Sequence, residues 1–320
     1  MKKIHLEFAV RFKFIRNMDT LTIQSEQSIV AIGNFDGVHI GHQAVLNQLK
    51  QQAEQLHLSP WLIIFEPQPK EYFSHASTMP RLTSLREKIH LLNQSGITHI
   101  ACIKFNNKLA NLSATEFVQK ILVNYLNVAN VIVGEDFHFG KNRSGNIQVL
   151  RQLGEQFHFQ VGMIQPIKDD LHRVSSTRIR QALIDHDLSL ANRLIGRPYT
   201  ICGKVIQGDK RGRQLGFPTA NIRLGKRVLP LSGVYAVRVR GIGDHQLNGV
   251  ANAGTRPTVD GQRRSLEVHL FDFDQEIYGK YIEIEFVQYV RSEMRFDSLQ
   301  SLKEQIEIDV QHAKEILHLI

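Results

Sequence analysis

The rhythm of apolar and polar positions changes near residue 190. Before it, short unbroken apolar runs at Ile29–Ile32, Trp61–Phe65, Ile97–Ile103 and Val128–Val133 predict strands buried on both faces. Helical patterns lie between them: one begins near Gly41 and carries Val45, Leu46 and Leu49, the next covers Ser84 to Asn93, and a third covers Ser113 to Tyr125. Ser113 and Glu116 have the spacing of a capping box at the start of the third. Strands alternating with helices predict an α/β domain with a doubly wound parallel sheet. Ligands of such sheets sit at the carboxyl ends of the strands.

Gly196-Arg197-Pro198 breaks the last helical pattern, and beyond it the period is two. Tyr235, Val237 and Val239 alternate with Arg238 and Arg240. Leu266, Val268 and Leu270 alternate with Glu267 and His269, and Ile282, Ile284 and Phe286 with Glu283 and Glu285. Half-buried antiparallel strands of this kind, separated by Gly and Pro turns, predict a small antiparallel β-barrel. At the end, Leu299, Leu302, Ile306, Val310, Ala313 and Leu317 recur every three or four residues, an amphipathic C-terminal helix expected to cap the barrel. Two domains are expected, 1–190 and 191–320.

Hydrophobic content of 42% supports ordinary buried cores. The net charge of +8 points to anionic partners, but it is spread along the chain, so polyphosphate substrates account for it as well as nucleic acid does. Cys102 and Cys202 share no metal-ligand spacing and read as reduced thiols. Met1-Lys2-Lys3 resembles the start of a signal peptide, yet Glu7, Arg11 and Lys13 interrupt any apolar core. No stretch approaches the roughly 18 apolar residues of a membrane span. A cytoplasmic protein is expected, with no membrane partner. The head before Ile29 is assigned no role.

The densest chemistry is Gly33-Asn34-Phe35-Asp36-Gly37-Val38-His39-Ile40-Gly41-His42, directly after a strand. Gly33 and Gly37 let the backbone bend. The following helix offers N–H groups and a positive dipole end to an anion. His39 and His42 are three apart, so they share one face of the first turn, and Gly41 leaves room for a nucleotide. Gly33, Asn34, Phe35 and Asp36 are the candidate phosphate contacts of this turn. A second anion site is Ser175-Ser176-Thr177-Arg178-Ile179-Arg180, hydroxyls opening a helix with arginines one turn in. Gly134–Gly140 is an acidic, aromatic loop at a strand end. In the second half, Gly208, Lys210, Gly212, Gly216 and Pro218 belong to a basic, glycine-rich loop suited to phosphates. Thr219 and Asn221 just after it are hard oxygen donors suited to Mg²⁺.

The His-x-Gly-His turn resembles the signature of the HxGH nucleotidyltransferases. More specifically, Gly33–His42, Phe65–Pro69, Arg81-Leu82-Thr83, Leu112-Ser113-Ala114, Gly134–Gly140 and Ser175–Arg180 occur in the order seen in the bacterial bifunctional riboflavin kinase/FAD synthetase family. Pro218-Thr219-Ala220-Asn221, Gly249–Thr258 and Glu267-Val268-His269-Leu270 extend the resemblance over nearly the whole chain. It implies that residues 1 to about 190 transfer an adenylyl group from ATP to FMN, yielding FAD, and that residues 191–320 phosphorylate riboflavin with ATP and Mg²⁺. It further implies that His39, His42, Ser176, Thr177 and Arg180 handle the ATP phosphates, with Asp136 near the reacting phosphates. Glu267 becomes the catalytic base and Arg291 a flavin-side residue. Two departures stand out: Gln68 replaces the usual His of a Phe-x-Pro-His-Pro motif, and Ala253 replaces a larger apolar residue.

Two rival readings follow from the residues alone. One keeps the transferase but changes the acceptor, as in a phosphopantetheine or cytidylyl-transfer enzyme with a regulatory barrel; Pro218–Asn221 with Glu267 argues against it. The other is a nucleic-acid-binding barrel. Such barrels stack bases on exposed aromatics, and Arg238, Arg240, Glu283 and Glu285 carry no aromatic ladder, so no nucleic-acid partner is expected.

Overall fold

The computed structural model describes residues 11–15, 26–74, 79–208, 211–225, 227–258 and 261–319. Contacts divide the chain into two compact units, Met1–Ser77 with Leu85–Ser175 and Thr78–Ser84 with Ser176–Ile320.

The first unit holds strands β1 (Arg11–Ile15), β2 (Ser28–Ile32), β3 (Ser59–Glu66), β4 (His99–Lys104), β5 (Val128–Gly134) and β6 (Gln160–Ile164). They form a six-stranded sheet in the order β1-β4-β3-β2-β5-β6, and every pair is parallel. Successive side chains of a strand point to opposite faces, and here both faces are covered. Val30, Ile32, Ile63, Ala101, Ile103, Val131 and Val133 pack with Phe117, Ile121, Leu122, Leu150 and Leu153. Ile29, Ala31, Leu62, Ile64, Ile100, Cys102 and Ile132 pack with Leu46, Leu49, Ala53 and Leu92 on the other side. The sheet is therefore doubly wound, and the four apolar runs are β2 to β5.

Three features depart from the pattern. The expected helix over Ser113–Tyr125 begins as an α-turn, Ala114–Phe117, with its capping box formed, but then widens into a π-helix over Val118–Val123. There Asn124 N donates to Gln119 O and Leu126 N to Ile121 O. A strand, β6, and a helix, Ile147–Phe157, follow where no element was assigned. Strand β1 falls in the head that had no assigned role. A short hairpin, β7 (Lys168–Asp169) with β8 (His172–Arg173), completes the unit.

In the second unit the helices Ser176–Ile184 and Leu188–Ile195 precede the barrel, and the second ends on Gly196 in the left-handed conformation, φ 80°. The barrel closes through β9 (Thr200–Ile206), β10 (Thr219–Ile222), β11 (Gly233–Arg240), β12 (Leu247–Thr258), β13 (Gly261–Leu270) and β14 (Tyr281–Arg291), in the order β10-β13-β12-β11-β14-β9. All six pairings are antiparallel. Tyr235, Val237, Ala251, Ala253, Leu266, Val268, Ile284 and Phe286 are buried on one parity. The opposite parity of β11 and β12, Val234, Ala236 and Val250, packs against Ala313 and Leu317 at the end of the C-terminal helix, Leu299–Ile316. Opposite parities face opposite sides of a barrel wall, so this helix lies along the outer wall and does not cap an end. Arg238 and Arg240 pair with Glu283 and Glu285 across β11 and β14.

Candidate active sites

The first site is built at the point where the strand order reverses. β2 pairs with β3 on one side and β5 on the other, so the chain leaving β2 at Gly33 runs beside the chain leaving β5 at Gly134. Gly33 N donates to Ile63 O at 3.1 Å, which ties the exit of β2 to β3. The backbone then passes through three left-handed residues, Phe35 (φ 48°), Gly37 (φ 85°) and Val38 (φ 41°). For a β-branched residue such as Val38 that conformation is strained. The strain sets His39 as the N-cap of the helix Ile40–Leu56.

His39 Nδ1 accepts a hydrogen bond from His42 N at 3.3 Å. A neutral His39 therefore carries its proton on Nε2, as a donor. The rings of His39 and His42 stack, centroids 3.6 Å apart and 16° from parallel, and Phe35 lies 4.9 Å from the His42 ring. A Cβ at Gly41 would stand 3.2 Å from the His39 ring. The glycine thus makes room for the histidine stack, where the sequence suggested room for a nucleotide. Burial first, then the neighbouring charges of His39 and Lys88, hold the pKa of His42 well below the usual 6.5. Its Nδ1 is buried with no hydrogen-bond partner among the described residues. That shift favours the neutral imidazole of His42, which offers a dipole and an N–H in place of a full charge.

Around this turn, Asp36 is 2% exposed. Asp136, in the turn after β5, pairs with Arg173 of β8 at 2.9 Å, and that hydrogen bond holds its carboxyl below the usual range. Gln68 follows β3, is 2% exposed, and its Nε2 has no partner among the described residues. Val174 O lies 3.7 Å from the Cβ position of Gly41, and Ser176 and Thr177 come next in the chain at the start of the helix Ser176–Ile184. Arg180 of that helix is buried, and its Nε donates to Pro80 O at 2.6 Å.

The second site lies on the outer face of the barrel. Thr219 and Asn221 stand two apart on β10 and so share a face. Asn221 is the cross-strand neighbour of Glu267 on β13, and Glu267 is the neighbour of Asn252 on β12. Side chains opposed in this way lie ~5 Å apart. The glycine loop presses on this row: a Cβ at Gly208 would collide with the Asn221 amide, and one at Gly212 with Phe217 O, with Thr219 Oγ1 only 3.3 Å away. Gly216 is left-handed, φ 91°. His269 Nδ1 donates to Pro218 O at 2.9 Å and fixes the carbonyl beside Thr219; burial lowers the pKa of His269. An open cavity of about 500 Å³, the size of a small-ligand cleft, is lined by Lys204, Gln207, Arg213, Glu276 and Tyr278. Lys210 lies outside the described residues. Arg291, the expected flavin residue, gives Nε and an Nη to the buried Asp309 at 2.7 and 2.6 Å and its other Nη to Ser292 O. It fastens the segment after β14 to the C-terminal helix.

The FAD synthetase family matches residues 21–178 and the riboflavin kinase family residues 195–317. The bifunctional riboflavin kinase/FMN adenylyltransferase of Haemophilus influenzae is 45% identical over 94% of this chain and 98% of its own length. The protein of that name from Escherichia coli K12 is 43% identical over 96% and 98%. The chain belongs to the bifunctional riboflavin kinase/FMN adenylyltransferase family. A solved structure described as a macrolide-efflux protein from Streptococcus pneumoniae superposes with a TM-score of 0.79 at 29% identity, covering 93% of this chain and 97% of that one. No described helix here is long and apolar enough to cross a membrane.

Within this family framework, the structure brings together Gly33, Phe35, Asp36, His39 and His42, and separately Gly208, Gly212, Thr219, Asn221 and Glu267. Sequence reasoning missed Arg173 and Lys88, and it did not set Asn252 beside Glu267. Arg173 sits one residue before Val174-Ser175-Ser176, outside the motif. Lys88 is 1% exposed inside a helix that read as ordinary. Asn252 was in plain view within Gly249–Thr258, but only strand register puts it beside Glu267.

Proposed function

We propose that the two reactions use these two constellations, with the division of labour near residue 190, about where the helix Ser176–Ile184 ends and Leu188–Ile195 begins. The chain phosphorylates riboflavin to FMN and adenylylates FMN to FAD, consuming ATP in each step. In residues 1–190, a phosphate oxygen of FMN attacks the α-phosphorus of ATP, a P–O bond forms, and pyrophosphate departs. Little covalent help is needed; positioned donors and positive potential are. His39 donates from Nε2, and His42 and the helix start add N–H donors and the dipole. Gly33, Asn34, Phe35 and Asp36 shape the turn around ATP. Ser176, Thr177 and Arg180 bind its phosphates, and Asp136, held by Arg173, lies near the reacting groups.

In the barrel, the terminal ribityl hydroxyl of riboflavin attacks the γ-phosphorus of ATP. Glu267 takes the hydroxyl proton as the new P–O bond forms, and ADP leaves. Gly208, Lys210, Gly212, Gly216 and Pro218 cradle the phosphates. Thr219 and Asn221 fit Mg²⁺: two hard oxygens on one strand face, with glycines pressed against them, and Mg²⁺ ordinarily keeps few protein ligands. When bound, Mg²⁺ neutralises charge on the phosphates. Arg291 contributes to the flavin side through the segment it fastens. The setting is the cytoplasm, and the partners are riboflavin, FMN, FAD and ATP; nucleic acid and membranes are not part of its chemistry.

The observation that carries the reading is the adjacency of Asn221 and Glu267 in the β10–β13 register, a metal-type donor beside a base. Incubation with riboflavin, ATP and Mg²⁺, followed by chromatography, should show FMN first and then FAD with pyrophosphate. Chelation of Mg²⁺ should stop phosphorylation. No FMN from riboflavin would overturn the assignment.

A further inference from the structure

Among the described residues on the outer face of the barrel, Asn252 is a polar group that the steps above leave unused. Asn252 on β12 continues the row from Asn221 through Glu267. Its Oδ1 is buried and accepts no hydrogen bond from the described residues. Buried acceptors are nearly always paired, so this oxygen points to a donor that arrives with a ligand.

The surroundings say which kind. Glu267 flanks Asn252 on one side. Gly254 lies two residues along β12, on the same face, and a Cβ there would collide with the carboxylate of Glu293. The carboxylate of Glu293 therefore lies over Gly254, two residues along the strand from Asn252. A place between two carboxylates repels phosphate and accepts a neutral hydroxyl. On the far side of Glu267 stand Asn221 and Thr219, the hard oxygens under the glycine loop. The row is ordered: nucleotide end, base, acceptor end.

We infer that Asn252 contacts the acceptor substrate, its Oδ1 taking a hydrogen bond from a hydroxyl of the ribityl polyol chain and turning the terminal hydroxyl toward Glu267. This rests on the reading of Glu267 as the base. A site built to pair a substrate hydroxyl discriminates strongly against an analogue lacking it.

The test uses the full chain with Asn252→Ala and, as a milder change that keeps a hydrogen-bonding oxygen, Asn252→Ser. FMN-forming kinetics are measured with riboflavin and with analogues lacking one secondary hydroxyl of the ribityl chain. The parent should disfavour one analogue at least tenfold in kcat/KM. Asn252→Ala should raise KM for riboflavin about tenfold, leave KM for ATP within twofold, and lose the discrimination; Asn252→Ser should fall between. FAD formation from supplied FMN should stay at the parent rate in both, which reports folding of the chain. A rise in KM for ATP instead, or unchanged discrimination in Asn252→Ala, would overturn the inference. If Glu267→Gln leaves phosphorylation intact, the base reading falls on that result, whereas the analogue preference judges Asn252 on its own.

Discussion

His39 and His42 are neighbours because one helical turn makes them so; Asn221, Asn252 and Glu267 are neighbours because three strands pair in one register. The histidine turn is contiguous in sequence, and its shape comes from left-handed backbone at Phe35, Gly37 and Val38 and from the missing Cβ of Gly41. The strand row comes from distant segments and depends on the barrel closing correctly. A one-residue slip would turn every member to the other side of the wall. The first arrangement positions its donors locally, before any ligand arrives. The second ties its chemistry to the integrity of a whole sheet.

The contrast is sharpest at Glu267. Glu267→Gln keeps shape and a hydrogen-bonding oxygen but cannot take the proton. General-base catalysis contributes typically 10²–10⁴-fold, so riboflavin phosphorylation should fall by about that factor in a coupled ADP-release assay. FAD formation from FMN should not change. Next comes the histidine pair. His39→Ala or His42→Ala removes one preorganised donor, and FAD formation should drop about 100-fold or more while FMN formation persists. A smaller effect is expected at Gly41→Ala. The added Cβ would press the His39 ring from 3.2 Å, and a displacement of a few tenths of an ångström should slow adenylylation about tenfold with no effect on the kinase.

The smallest effect is on stability. His42 is neutral in the folded chain, with its pKa held below 6.5, whereas in the unfolded chain it takes up a proton once the pH falls below about 6.5. The unfolded state then binds the extra proton, so stability is present above that pH and lost below it, at about 1.4 kcal/mol per pH unit. Urea midpoints between pH 7 and 5 should fall more steeply for the parent than for His42→Gln. Parallel curves would show that His42 is charged in the folded state.

The comparison also explains what could be read from sequence. The runs Ile29–Ile32 and Trp61–Phe65 announced β2 and β3 because both sides of each strand are buried. Edge strand β6, Gln160–Ile164, is only half covered, so its pattern was faint. The amphipathic C-terminal helix was legible, but its seat on the outer wall was not, since periodicity shows that a face is apolar and not which surface it meets. The histidine turn could be read as chemistry because its ten residues are consecutive. Glu267 looked like a solvent-facing strand residue until the family resemblance marked it, and Asn252 lay inside a matching motif with nothing to set it beside Glu267, because register is not written locally. Arg291 drew notice for its flavin-side position, while its bidentate grip on Asp309 needs the fold.

The most direct measurement crosses the two sites. Full-length His42→Ala and Glu267→Gln are each supplied with riboflavin or with FMN, together with ATP and Mg²⁺, and the flavins are separated by chromatography. His42→Ala should accumulate FMN from riboflavin with almost no FAD. Glu267→Gln should make almost no FMN from riboflavin yet convert supplied FMN to FAD at the parent rate. Loss of both products in either variant, with the circular dichroism spectrum unchanged, would contradict two separate sites on one chain.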